Sequence, residues 1–264
     1  MLVVDRIRKV FNPGTINEKT ALQGVSLTLK EGEFVTVIGG NGSGKSTLMN
    51  CVAGVYPVDS GQVIIDGVNV TSRPEHRRAH FIGRVFQDPM LGTAASMGID
   101  ENLALAQRRG KRRGLRWGIT HAERDAYREL LATLDLGLED RITSKVGLLS
   151  GGQRQALTLL MATLQKPRIL LLDEHTAALD PKTAARVLEL SEHLIAENRL
   201  TTLMITHNMR DAIAHGERLI MMNNGKIILD IRGEEKRCLT VAELLARFEE
   251  ASGDAEVTDS LLLA

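Results

Sequence analysis

Gly39-Gly40-Asn41-Gly42-Ser43-Gly44-Lys45-Ser46-Thr47 is the stretch on which the fold turns. It satisfies G-x-x-x-x-G-K-[ST], with the apolar run Phe34–Ile38 ahead of it and the helical pattern Lys45–Ala53 behind. Glycines at this density let successive backbone N–H groups curl around a phosphate at a helix start, where the helix dipole already favours an anion. Lys45 would then bridge β- and γ-phosphates, and the Ser46 hydroxyl would hold Mg²⁺. Gly39, Asn41, Gly42, Ser43, Gly44, Lys45, Ser46 and Thr47 are the candidate phosphate-binding residues.

Working outward, Ile169-Leu170-Leu171-Leu172-Asp173-Glu174 is an apolar strand ending in two carboxylates, as expected beside a phosphate loop on one sheet. Asp173 would reach the Mg²⁺ shell, and Glu174 would polarise an attacking water as general base. The two stretches together point to nucleotide binding.

The rest of the chain shows β-type runs at Leu2–Phe11, Val25–Leu29, Phe34–Ile38, Val63–Ile65, Ile82–Phe86, Ile169–Leu172, Thr202–Ile205, Leu219–Met222 and Lys226–Ile231. Helical patterns lie between several of them, at Gln153–Leu164, Lys182–Ala196 and Met209–His215. This alternation predicts an α/β fold, a largely parallel sheet covered by helices on both faces. Met222-Asn223-Asn224-Gly225-Lys226 reads as a tight hairpin, because Asn-Gly tolerates the positive φ angles of a two-residue turn. From Asp88 to Leu149 the strand signal gives way to helix-type sequence, clearest in His121–Leu136, which predicts a helical insert. Val241, Leu244, Leu245 and Phe248 predict an amphipathic helix that opens the C-terminal stretch, whose far end should fray.

Composition narrows the class. In 264 residues, 43% are hydrophobic and 25% charged, which indicates neither disorder nor a membrane-embedded chain. With 33 basic against 33 acidic residues, no global field draws the molecule to nucleic acid or lipid. Cys51 and Cys238 form neither a disulfide framework nor a C-x-x-C pair, which fits a reducing compartment. No apolar stretch approaches the roughly 18 residues that span a bilayer, so work at a membrane would require another chain for the span.

Leu149-Ser150-Gly151-Gly152-Gln153 is a second Gly-rich helix start, ahead of the helix leading to the Asp173 strand. One nucleotide needs one cradle per chain, so a second anion site suggests that two chains share each ATP. In that position the stretch resembles the signature of the ATP-binding cassette (ABC) ATPases, and the resemblance runs from Leu2 to about Arg232. It implies a P-loop NTPase (RecA-like) core with an antiparallel β subdomain and an α-helical subdomain insert. The cassette domain would occupy residues 1–240, its core being 1–88 and 150–240 and its insert 89–149, with a C-terminal helix and tail at 241–264.

The resemblance also assigns roles. Phe11 matches the aromatic residue that stacks on adenine, and Gln87 the glutamine that senses Mg²⁺ and γ-phosphate and links to the transmembrane partner. Asp180 belongs to the loop through which paired subunits touch, and His207 matches the switch histidine at the γ-phosphate. Two cassettes would close head to tail on two ATP molecules, each held between the phosphate loop of one and Ser150, Gly151, Gly152 and Gln153 of the other. Lys45, Gln87, Glu174 and His207 form the implied catalytic set, and Ser46, Gln87 and Asp173 the Mg²⁺ set. The implied partners are a second cassette subunit, integral membrane permease chains and an extracytoplasmic solute-binding protein, with no nucleic acid. The implied position is the cytoplasmic face of the inner membrane. A lone cassette of this length favours import; a lone-cassette exporter, a lipoprotein-extraction ATPase, a soluble ABC protein on ribosome or DNA, and a regulatory module without turnover are the alternatives.

Some features stand apart. His175 occupies a position where many of the family carry Pro; it is either a tolerated variant or a titratable ring close to the catalytic carboxylate. The wording Asp-Glu-His-Thr-Ala-Ala-Leu-Asp-Pro resembles ATPases of importers associated with aromatic amino acids or related small solutes. Arg108, Arg109, Lys111, Arg112, Arg113 and Arg116 put six cations in nine positions, readable as a solvated loop, as a segment facing anionic lipid headgroups, or as a nucleic-acid contact, the last disfavoured because Trp117 is the only aromatic nearby for base stacking.

Overall fold

The computed structural model describes residues 1–111 and 118–252. Arg112, Arg113 and Arg116 of the basic run, and the tail from residue 253, lie outside the described residues. In chain order the elements are β1 (Leu2–Phe11), β2 (Lys19–Leu29), β3 (Phe34–Ile38), α1 (Lys45–Ala53), β4 (Ser60–Ile65), β5 (Val68–Asn69), α2 (Glu75–Arg78), β6 (Ile82–Val85), α3 (Ile99–Gln107) and α4 (His121–Ala132). There follow α5 (Gly151–Thr163), β7 (Ile169–Asp173), α6 (Pro181–Asn198), β8 (Thr202–Ile205), α7 (Met209–Ala214), β9 (Arg218–Asn223), β10 (Lys226–Arg232), α8 (Gly233–Arg237) and α9 (Val241–Ser252).

Among the described residues there are two sheets: an antiparallel one in the order β2-β1-β4-β5, and a six-stranded one in the order β10-β9-β3-β8-β7-β6. In the second, β9, β3, β8, β7 and β6 run parallel and only β10 is reversed. The central strands β3 and β8 are buried along their whole length, and β7 everywhere except Asp173. Strands covered on both faces need continuous apolar runs, which is why Phe-Val-Thr-Val-Ile and Ile-Leu-Leu-Leu read so plainly. The buried Thr36 hydroxyl is satisfied by the Ala212 carbonyl at 2.9 Å. Because these strands are parallel, the phosphate loop after β3, Asp173 and Glu174 at the end of β7, His207 after β8 and Gln87 after β6 all emerge at one edge, where open α/β sheets place their ligands.

The insert has a core of its own, with Ile99, Leu103, Tyr127 and Leu131 packed on Leu157 and Leu160 of α5. Each fully buried Leu contributes about 1.5–3 kcal/mol, so the middle of α5 is anchored to the insert. Asn224 and Gly225 have φ of 46° and 73°, the geometry expected of the β9–β10 hairpin.

The two largest boundary differences from the sequence expectation are at the start of β2 and the end of α4. Strand β2 begins at Lys19 rather than Val25: Gly24, at φ 78°, is a kink inside the strand rather than its punctuation, and the polar residues before it pair with β1 up to Phe11. Helix α4 stops at Ala132, short of Leu136, because Asp135 turns to φ 51° while Leu134 still reaches the insert core. No helix among the described residues is long and apolar enough to cross a membrane.

Candidate active site

Helix α1 starts without a side-chain cap: its N-cap is Gly44 at φ 104°, and no acidic residue stands in its first turn. Its leading N–H groups are therefore free for an anion. The Ser43 hydroxyl is buried with no partner, an orphan that a phosphate oxygen would satisfy. The loop's closeness demands glycine at two points. A Cβ on Gly39 would sit 2.2 Å from the Met222 carbonyl oxygen, and one on Gly44 2.7 Å from that of Ala21. The hairpin turn braces the loop from outside, where the Gly225 N–H donates to the Ser43 carbonyl at 2.9 Å. Lys45, only 5% exposed, donates to the carbonyls of Gly39 (2.7 Å) and Gly40 (3.1 Å). Burial pushes its ammonium pKa down, opposed by the charges of Glu174 and Asp173.

A cavity of about 350 Å³ joins this loop to Phe11, Lys19, Glu174 and His207. The Phe11 ring stands edge-on to Tyr56, with centroids 5.3 Å apart, which leaves a fixed aromatic wall for a base. Glu174 holds a left-handed backbone, φ 47°, and its Oε1 lies 2.5 Å from His207 Nε2. Strain of this kind persists only where the surroundings enforce it. A larger cavity, about 790 Å³, opens at the other end of β3 beside Phe34, but its buried Lys236 is already held by the carbonyls of His215 and Gly216.

Asp173 is pushed above the usual carboxylate range by burial, against the pull of Arg84, whose Nη2 lies 3.2 Å from Oδ2. Among the described residues no group of three or more His, Cys, Asp or Glu is arranged to hold a metal ion. The donor set near the loop, Ser46 with Asp173, fits Mg²⁺, which keeps most of its waters and takes few protein oxygens plus phosphate.

A model of the ABC transporter family matches residues 22–177, more than half of the chain. The chain belongs to the ABC transporter family. The cassette is 44% identical over 251 residues to a tyrosine transport ATP-binding protein of Clostridioides difficile, covering 95% of this chain and all of that one. A phosphonates import ATP-binding protein of Rhodopseudomonas palustris is 36% identical, covering 87% and 84%. Among solved structures, an ABC transporter cassette in its ADP conformation superposes with a TM-score of 0.77 at 28% identity, covering 99% of this chain and 98% of that one. A dimeric cassette bound to ADP and Pi gives 0.75 at 31% identity, covering 88% and 98%. The cassette is an ATP-hydrolysing enzyme with the P-loop NTPase fold.

Not all expected site residues meet in one chain. Asn41, Gly42, Ser43, Gly44, Lys45, Ser46, Thr47, Phe11, Glu174 and His207 line one cavity, with Gly39 behind it as the acceptor for Lys45. Gln87 and Asp173 line a separate cavity. Ser150, Gly151, Gly152 and Gln153 line neither. Ser150 caps α5, accepting from the Gln153 N–H at 3.3 Å, and both Ser150 and Gly151 are exposed. Asp180 caps α6 by accepting from the Thr183 N–H at 3.1 Å. A Cβ on Gly152 would come 2.2 Å from Thr183 Cγ2, so the signature and the Asp180 loop are packed as one unit.

Two cations escaped the sequence reading. Lys19 pairs with Phe11 across β1–β2 and reaches within 3.5 Å of where a Gly42 Cβ would stand, but the late start assigned to β2 hid it. Arg84 carries no motif, and only the pairing of β6 with β7 brings it to Asp173.

His175 faces Ser191 rather than Glu174. It is 2% exposed and donates from Nε2 to Ser191 Oγ at 2.9 Å, while that hydroxyl donates to the Val187 carbonyl. Burial, with a smaller contribution from His215, lowers its pKa from 6.5 to about 4. Unfolding therefore takes up a proton below pH 6.5, and stability, complete above that value, declines as pH falls toward 4. At about pH 5 the loss is roughly 2 kcal/mol. Urea midpoints measured near neutrality and at about pH 5 should show this fall in the native protein and a smaller one in His175→Gln; equal falls would contradict it.

Of the basic run, Arg108 pairs with Glu123 at 2.7 Å and Arg109 is drawn inward, reaching the Ala162 carbonyl at 3.5 Å with its Nε buried and unpartnered.

Proposed function

We propose that this cassette is the ATPase subunit of a bacterial importer, driving an aromatic amino acid or related small solute through separate permease chains. The observation that carries the reading is the separation just described. One cavity holds phosphate loop, adenine wall, Glu174 and His207, while the exposed signature of the same chain lies outside it. A second cassette presenting Ser150 and Gly151 across the mouth of that cavity would complete the site, with two ATP molecules enclosed in a head-to-tail homodimer.

In that closed state the backbone of Gly42 to Ser46 cradles the phosphates and Lys45 leaves the loop carbonyls for the β- and γ-oxygens. Phe11 stacks on the base. Glu174 accepts a proton from the attacking water, and His207, held at its carboxylate, keeps it oriented and meets the γ-phosphate. Mg²⁺ held by Ser46, Asp173 and Gln87 would neutralise developing charge on the phosphate oxygens.

A groove of about 550 Å³ between core and insert is lined by Ile82, Leu91, Leu105, Arg109 and Met161. Leu91 and Met90 are well exposed at its lip, next to Gln87, which suits docking of a permease segment and its coupling to the site. The cassette would then sit peripherally on the cytoplasmic face of the inner membrane. The solute class follows the name of the Clostridioides difficile relative and the Asp-Glu-His-Thr wording.

Gentle purification of the tagged protein from native membranes tests the reading. A stoichiometric polytopic membrane chain, with an extracytoplasmic solute-binding protein, is expected, and Leu91→Asp should lose most of the membrane chain. Ribosomal or DNA-bound partners without any membrane chain would overturn it.

A further inference from the structure

Arg84 stands on β6 between the catalytic carboxylates and the groove, its side chain 12% exposed. Its Nη2 donates to Asn50 Oδ1 at 2.9 Å and to Asp173 Oδ2 at 3.2 Å, and its guanidinium lies 4.6 Å from the centre of the Phe86 ring. Its Nε is buried without a partner. The side chain lines both the cavity that holds Gln87 and Asp173 and the neighbouring groove. Lys45, the other nearby cation, spends its hydrogen bonds on loop carbonyls.

One oxygen of the Asp173 carboxylate is thus engaged by a fixed positive charge that two further contacts, Asn50 and Phe86, hold in place. A guanidinium and a divalent cation at the same carboxylate repel each other, and in a half-buried setting solvent screens that repulsion weakly. We propose that Arg84 is a resident counter-cation of Asp173 with which a divalent ion must compete, so that Arg84 sets the free metal concentration at which the site fills. The inference rests on placing Asp173 in the metal shell. Arg84 acts through Asp173 and is a positioning residue. When the carboxylate turns to the metal, Asn50 and Phe86 keep the guanidinium at the groove wall, where it offers a cation to whatever docks there.

Mn²⁺ is the probe, with the loss of its free-ion EPR signal as the readout. It is titrated into the ATP complex of Glu174→Gln protein, carrying either Arg84, Arg84→Met or Arg84→Lys. Arg84→Met should lower the half-saturating free Mn²⁺ about three- to tenfold, whereas Arg84→Lys should stay within about twofold of the parent. Binding of a fluorescent ATP analogue in EDTA should be alike in all three, which reports intact folding. Equal or weaker Mn²⁺ binding in Arg84→Met overturns the proposal; if that variant fails to bind nucleotide in EDTA, Arg84→Gln must show the shift instead, and its absence there overturns the proposal equally. Asp173→Asn separates the two levels. Weakened Mn²⁺ binding upholds the metal assignment, and unchanged binding removes both that assignment and the role of Arg84.

Discussion

Glu174→Gln protein should bind ATP, lose about 10²- to 10⁴-fold in turnover, and accumulate as an ATP-bound dimer. The substitution is nearly isosteric. An amide oxygen can still accept from His207 Nε2, which Glu174 Oε1 meets at 2.5 Å, so the hydrogen bond that orients this side chain survives. What disappears is the capacity to take a proton from water. The left-handed backbone at residue 174 is common to both proteins, so its strain does not change. Phosphate release measures the first part of the prediction and light scattering with and without ATP the second. Turnover at the native rate would remove Glu174 from the role of general base, and a monomer at saturating ATP would remove the shared-nucleotide arrangement.

Lys45→Met should separate function from stability. Lys45 is nearly buried, its ammonium disfavoured by desolvation and held by two loop carbonyls. Methionine fills a similar volume without a charge to bury but leaves the Gly39 and Gly40 carbonyls without their donor, and these opposed effects should keep the melting temperature of the nucleotide-free protein within about a few degrees of the parent. The same exchange deletes the cation that would face the β- and γ-phosphates, and turnover should fall by about 10²- to 10³-fold, with weaker ATP binding. A thermal melt and a fluorescent-nucleotide titration on one preparation read both effects. Retained ATP affinity would contradict the position given to Lys45, and a large drop in melting temperature would contradict the account of its burial.

The reach of the sequence depends on how local each signal is. The phosphate loop, the Asp173 strand and the Asn224-Gly225 turn were legible because each is a contiguous run whose residue types answer to one backbone geometry. The helical character of the stretch after Asp88 was legible for a related reason: period-two patterning stops there, and the only β pairing found in it among the described residues is the isolated Gly98–Lys145 bridge. Arg84, Lys19 and the direction of His175 depend on contacts between segments distant in sequence. Arg84 reaches Asp173 because β6 lies beside β7, and Lys19 reaches the loop because β2 folds back on Phe11. His175 turns inward because Ser191 of α6 offers a hydroxyl in the core. None of these partners is encoded by spacing, and a ring one residue from Glu174 looks catalytic until its neighbours are known.

The bond from the Gly225 N–H to the Ser43 carbonyl has a consequence for modularity. The nine-residue motif is complete on paper by Thr47, yet the carbonyls that close over its glycines come from Ala21 before it and Met222 after it. A fragment that ends before β9 would contain every letter of the phosphate-binding motif and lack the wall against which its backbone is shaped. The unit that can be transplanted or truncated is therefore the whole span from β2 to the β9–β10 turn, and the motif is the visible centre of a structure assembled from both ends of the core.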